Sequence, residues 1–109
     1  MLTRTEARKI ALALPQAKEA DHHGRPSFRV NDKVFATFWD DATMNIMVDE
    51  AMTHRASERF PRACQPFQWG SRIAALNVRL SEIEADVLRD LLHIAWTRTA
   101  PKGLRDRAK

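Results

Sequence analysis

A tight β-hairpin constrains the fold of this chain more than any other stretch of its sequence. Two runs rich in β-branched and aromatic residues, Ser27–Val30 and Lys33–Trp39, are separated only by Asn31 and Asp32. Asn and Asp tolerate left-handed backbone angles, which a type I′ turn requires at both central positions. Because two strands alone bury too little apolar surface to be stable in water, other parts of the chain must cover this ribbon.

The simplest register of this hairpin pairs Phe28 with Phe35 and Val30 with Lys33. The side chains that then share the other face are those of Ser27, Arg29, Val34, Ala36 and Phe38.

Helix and strand signals surround the hairpin. A capping box, Thr3–Glu6, begins a first helix that Pro15 ends, and residues 18–23 are typical of an edge strand. Residues 44–48 alternate as a third strand, and Asp49 is placed to cap a helix over about 50–60. A second hairpin is predicted around Gly70 and Ser71.

The last predicted helix runs from a second capping box, Ser81–Glu84, to about Arg98, and Pro101 ends it. The order of elements predicts a compact α+β domain over residues 1–100, an antiparallel sheet with helices packed on it. Residues 101–109 are predicted to form a basic, mobile tail.

The length and composition of the chain favour one soluble domain. A chain of 109 residues with 44% hydrophobic and 29% charged residues is long enough for one ordinary core. It has no apolar run of the roughly 18 residues that a membrane helix needs, and a capping box stands where a signal peptide would have an apolar block. A lone Cys64 cannot form an internal disulfide. We therefore expect a cytoplasmic protein without membrane partners, and favour a monomer.

The net charge of +4 is unevenly distributed. Residues 98–109 hold five basic side chains and one acidic one, so the first 97 residues are neutral. Within these, residues 51–80 carry five arginines against one glutamate, whereas residues 81–97 carry one arginine against four carboxylates. The sequence predicts a molecule with a basic side and an acidic side.

Catalytic and metal-binding patterns are sparse. His22 and His23 follow Asp21, but adjacent residues of an extended strand point to opposite sides, and no further Cys or His lies at ligand spacing. The sequence contains no glycine-rich phosphate loop and no nucleophile elbow. We expect no catalytic activity, metal or cofactor, and keep an enzyme acting through His22 or His23 as a third hypothesis.

Basic residues on both hairpins and on the middle helix would match the phosphate backbone of duplex DNA if their faces converge. These candidate nucleic-acid-binding residues are Arg25, Arg29, Lys33, Arg55, Arg59, Arg62, Arg72 and Arg79. Phe67 and Trp69 are candidates for stacking on bases. The equally weighted alternative is that both aromatic residues belong to the core and the arginines only keep the protein soluble.

Several segments resemble the MmcQ/YjbR family of small bacterial proteins, from about Thr3 to Lys102. The segments that carry the resemblance are Leu14-Pro15, His23–Val30, Lys33–Ala36, Trp69, Ala95-Trp96 and Ala100–Lys102. The resemblance implies a CyaY-like (frataxin-like) α+β fold and a DNA-binding protein whose double-wing motif consists of two β-ribbons. It also implies that Gly24, Pro26, Phe28 and Trp69 serve the fold, which leaves Arg25 and Lys33 as surface candidates.

Two main hypotheses follow. The first is duplex DNA binding through phosphate contacts, which predicts a single basic face. The second is a protein-interaction or small-ligand adaptor that uses a groove between sheet and helices, which predicts an exposed apolar patch or a pocket.

Overall fold

The computed structural model describes residues 2–107, with side chains up to residue 104. The helices are α1 (Arg4–Leu12), α2 (Glu50–Arg59), α3 (Ala85–Thr99) and α4 (Lys102–Arg107). The strands are β1 (Lys18–His22), β2 (Arg25–Val30), β3 (Lys33–Phe38), β4 (Thr43–Ile46), β5 (Cys64–Trp69) and β6 (Arg72–Arg79).

The six strands form one antiparallel sheet in the order β1-β2-β3-β4-β6-β5. Helix α3 packs on β3 and β4, α2 packs on β5 and β6, and α1 packs on α3. Helices α1, α2 and α3 therefore form one layer on one side of the sheet, which confirms the predicted α+β fold class. Within residues 2–107, no helix combines the length and hydrophobicity of a membrane span.

The central hairpin has the predicted turn but not the predicted register. Asn31 and Asp32 have φ angles of 52° and 62°, as a type I′ turn requires. Val30 pairs with Lys33 as expected, but Phe28 pairs with Ala36 because a β-bulge leaves Phe35 as an extra residue.

The bulge changes which side chains face the helices. Ala36 and Phe38 join Phe28 on the core side, and the rings of Phe28 and Phe38 meet edge to face with centroids 5.5 Å apart. Phe35 is also fully buried. The extra residue thus lets β3 direct both Phe35 and Phe38 into the core, which strict alternation from Lys33 would not allow for Phe38.

The core lies between the sheet and the helix layer. Its largest member is Trp96 of α3, which lies with Leu88 and Leu92 of the same helix in one core cluster with the phenylalanines of β2 and β3. The indole Nε1 of Trp96 donates a hydrogen bond of 3.0 Å to the backbone oxygen of Pro15, which ties α3 to the end of the α1 segment.

Two of the three predicted helix starts are confirmed. Thr3 and Glu6 form the capping box of α1, and the Asp49 carboxylate accepts a 2.8 Å hydrogen bond from the Met52 amide at the start of α2. The third prediction is wrong: Leu80–Glu82 form a 3₁₀ turn and α3 begins at Ala85, with Glu84 as N-cap. Leu80 and Ile83 are both buried, so burial in the core decides the path of the chain here.

The C-terminal residues are more regular than the sequence predicted. Lys102–Arg107 form α4, and Leu104 packs against the core. The mobility predicted for 101–109 stays a prediction, and residues 108 and 109 lie outside the described residues.

Candidate nucleic-acid interface

Charged side chains divide between the two faces of the sheet, and we call the face away from the helices the open face. In antiparallel pairs, directly opposed residues project to the same side. The strand cations that the register places on the open face are Lys18, Arg25, Arg29, Arg72 and Arg79.

The two carboxylates of the strands project to the other side. Glu19 pairs with the buried Phe28 and forms a 2.8 Å ion pair with Arg8 of α1, and Asp21 follows it by two residues. The six strands, all within the described residues, therefore place five cations and no carboxylate on the open face.

Three aromatic side chains form an apolar groove on the same face, which we call the aromatic groove. Trp39 and Phe67 meet edge to face with centroids 4.7 Å apart, and Phe67 and Trp69 lie nearly parallel at 6.4 Å. The groove has a volume of about 440 Å³ and is lined only by strands and the segments that join them. Its other lining residues are His22, His23, Arg25, Val34, Thr37, Asn45, Met47, Ala74 and Ala75.

Curvature of the sheet brings these rings together. Trp39 follows β3 and Phe67 lies on β5, with β4 and β6 between them. Three strand-to-strand steps in a flat sheet span roughly 14 Å, so rings in contact across them require a concave open face. The concavity also shields small polar side chains at its floor, where the Asn77 amide donates a 2.9 Å hydrogen bond to Asn45 Oδ1.

Two arginines on the open face donate hydrogen bonds to uncharged acceptors. The Arg25 guanidinium lies 4.2 Å above the Trp39 ring, and its Nε donates a 2.9 Å hydrogen bond to the Trp39 backbone oxygen. Arg29 donates from Nε to Ser27 Oγ and from Nη2 to the Asp21 backbone oxygen. Among the side chains that the structure describes, neither arginine forms an ion pair, so both keep their positive charge in a fixed position.

The two adjacent histidines both line the aromatic groove, contrary to the expectation that they point to opposite sides. His23 has a φ of 52° and lies in the turn, where strand alternation no longer applies. The two rings lie 4.6 Å apart. Within residues 2–107, no group of three or more His, Cys, Asp or Glu side chains could hold a metal ion.

The remaining candidate residues lie away from this groove. Arg55 and Arg59 of α2 border a cleft on the helix side, opposite Asp86 and Asp90 of α3. Lys33 pairs with Val30, whose side chain is buried on the core side, so it projects away from the open face.

A second, smaller pocket of about 300 Å³ brings together Arg62 and Arg79, with Glu82 beside them. The eight candidates therefore do not form one continuous basic face. Arg25, Arg29, Arg72 and Arg79 share the open face, and Arg62 adjoins Arg79.

The structure corrects the expected role of Trp69 and the expected place of the groove. Trp69 is 69% exposed, so it does not serve the core as the resemblance implied. The aromatic groove lies on the open face, not between sheet and helices. Lys18 and Trp39 were not among the candidate residues. The side of Trp39 could not be predicted from strand alternation, because the bulge at Phe35 breaks that alternation.

Cys64 is not a reactive nucleophile in this setting. Its side chain is buried, and burial raises the pKa of the thiol to about 11. Because the thiolate is the reactive form, the group is protonated near neutral pH.

The fold and the site define a class: small α+β domains in which helices cover one face of an antiparallel sheet and leave the other open. The family model for YjbR matches residues 12–98, and the chain belongs to the YjbR family. The chain is also similar in structure to the Deinococcus radiodurans protein DR2400, which has a DUF419 domain. That similarity has a TM-score of 0.76 at 19% identity and covers 94% of this chain and 82% of the other. No curated protein matches the sequence.

Proposed function

We propose that this chain is a non-enzymatic DNA-binding domain whose contact surface is the open face of the sheet. The observation that carries the proposal is the separation of charge within the strands: five of the six strand cations lie on the open face, and both carboxylates lie on the other, with Lys33. A surface of one sign attracts a polyanion and places charges where phosphates can release their counterions.

The cations are spread widely enough to contact several nucleotides. Arg72 and Arg79 stand at the two ends of β6, and seven residue steps in a strand span roughly 20–24 Å. Arg25 and Arg29 lie on the neighbouring ribbon, already oriented by their hydrogen bonds. Little side-chain entropy is then lost when they meet a phosphate.

The helix side supports this role less well. Arg55 and Arg59 share their cleft with Asp86 and Asp90, whose negative charges oppose the approach of DNA phosphates. The proposed contact surface is therefore made by the two β-ribbons without α2.

The apolar character of the aromatic groove favours a second candidate function, the binding of a small ligand or of a protein segment. Its volume of about 440 Å³ falls in the range of ligand pockets. An adaptor of this kind would bind an apolar group with little dependence on salt, whereas DNA binding weakens steeply as salt rises.

The test is fluorescence anisotropy of a labelled DNA duplex with the full chain over a salt series. The plot of log K against log salt should lose about 0.9 in slope for each phosphate contact removed. We expect Arg72→Gln and Arg79→Gln each to lower the slope by about that amount. Arg89→Gln, an exposed position on α3, is the matched control and should leave the slope unchanged.

A further control separates the folded domain from the basic C-terminus. A full-length variant with Arg105, Arg107 and Lys109 changed to Gln should retain binding and the effect of Arg72→Gln. Loss of all binding in that variant would contradict the proposal, because the contact would then belong to the terminal charges. Absence of binding by the unmodified chain at about 50 mM salt, where electrostatic affinity is strongest, would also contradict it and favour the adaptor.

A further inference from the structure

Trp69 is anomalous for a residue of a small folded domain. Its indole is 69% exposed, although a tryptophan usually contributes much buried apolar area. It ends β5 beside the Gly70-Ser71 turn, and its contact with Phe67 leaves most of the ring free. An aromatic ring held in place but uncovered is suited to stack on a planar partner.

The surroundings of Trp69 indicate the chemistry of that partner. The floor and walls of the aromatic groove are mainly apolar, and Trp39 and Phe67 continue the aromatic surface inward. Cations stand beside it: Arg72 is the cross-strand partner of Trp69, and Arg25 lies over Trp39. A partner that fits has flat, apolar rings joined to negative charges.

Single-stranded nucleic acid has this combination, and duplex DNA does not present it. In a duplex, the ring faces are occupied by neighbouring bases, so only phosphates and groove edges are available. An unpaired strand exposes ring faces, and proteins that bind it combine basic grooves with aromatic stacking surfaces.

We propose that the aromatic groove takes unpaired bases of single-stranded nucleic acid. A base stacks on Trp69, and the adjoining phosphates lie against Arg72 and Arg25. This inference rests on the proposed function, since it assigns to the same open face a preference for the single-stranded form.

The experiment measures the affinity of the full chain for a labelled oligothymidylate and for a duplex of equal length at the same salt concentration. The single strand should bind at least about tenfold more tightly than the duplex. Trp69→Ala should weaken single-strand binding by roughly 5- to 150-fold, the range measured for loss of one base–aromatic stack. Trp69→Phe should retain most of the affinity, and neither change should alter duplex binding.

Two controls make the result specific. Leu12→Ala removes the other large exposed apolar side chain of the described residues, on α1, and should leave both affinities unchanged. An oligothymidylate with abasic sites keeps its phosphates but offers no rings, and it should bind as weakly to the unmodified chain as the intact strand binds to Trp69→Ala.

The other possible outcomes would contradict either the base-stacking inference alone or the proposed function as well. Equal affinity for both forms, or no loss with Trp69→Ala while the salt slope still depends on Arg72, would overturn the base-stacking inference and leave the proposed function standing. If neither form binds, both are overturned. A weakening of single-strand and duplex binding by Trp69→Ala in the same proportion would show that Trp69 shapes the surface without contacting a base.

Discussion

Arg25 shows how one side chain can serve the fold and still present a charge. Its Nε donates to a backbone oxygen, and its planar guanidinium covers the Trp39 ring, so the side chain joins β2 to the end of β3. The acceptor is neutral, and among the described side chains this guanidinium forms no ion pair. Lysine could supply the charge but neither the planar stacking nor the fork of donors.

The Cys64 thiol should make the stability of the protein depend on pH in the alkaline range. Burial raises the pKa of its thiol from 9.0 to about 11. Well below pH 9 the thiol is neutral in the folded and unfolded chains and adds no pH dependence. Between pH 9 and 11 only the unfolded chain ionises, so the thiol's contribution to stability should fall as pH rises.

Urea unfolding of the unmodified chain and of Cys64→Ala at a series of pH values measures this effect. The difference in the free energy of unfolding should be constant well below pH 9 and should shift against the unmodified chain as pH rises through 9 toward about 11. A constant difference throughout the alkaline range would show that the thiol ionises equally well in the folded state.

Helix starts and turns show which elements can be predicted from the sequence. The capping box of α1, the Asp49 cap of α2 and the Asn31-Asp32 turn depend on residues within four positions of each other, and all three were predicted. The start of α3 was not, because burial of Leu80 and Ile83 in the shared core outweighs a local Ser81–Glu84 pattern. The bulge at Phe35 likewise depends on packing beneath the helices.

Removal of the Asp49 cap should destabilise α2. Its carboxylate accepts the Met52 amide hydrogen at 2.8 Å, and that amide has no partner within the helix. Asp49→Ala should therefore lower the free energy of unfolding by about 1 kcal/mol in urea titrations. Asp49→Ser keeps an oxygen acceptor and should lose much less; an equal loss in both variants would mean that the cap does not stabilise α2.

At the scale of the whole molecule, the open face depends on strand order and curvature, which connect residues far apart in the chain. The sequence predicted the two ribbons and four of the five open-face cations as candidates. It could not separate these from Arg55 and Arg59, because no local pattern shows that α2 lies on the other side of the sheet. Lys18 was missed because its side follows from its pairing with Arg29, and Trp39 because the bulge at Phe35 changes the side on which it lies.

This arrangement predicts that the two sides of the molecule contribute differently to DNA binding. The double variant Arg55→Gln, Arg59→Gln removes as much charge as Arg72→Gln, Arg79→Gln, but only the latter should lower the salt slope, by roughly 1.8 for two phosphates. Anisotropy titrations of the two full-length variants measure the difference. Equal losses would extend the contact surface to α2.

The extra residue in β3 has a genetic consequence. Loss of the single codon for Phe35 keeps the reading frame and would let the hairpin adopt the simple pairing, with Phe28 and Val30 each opposite one partner in strict alternation. Ala36–Trp39 would keep the sides of the sheet that they have now, because Ala36 already pairs with Phe28 and Thr37 with Ser27. The deletion would remove only the fully buried Phe35 side chain, so it should destabilise the protein while Trp39 stays on the open face.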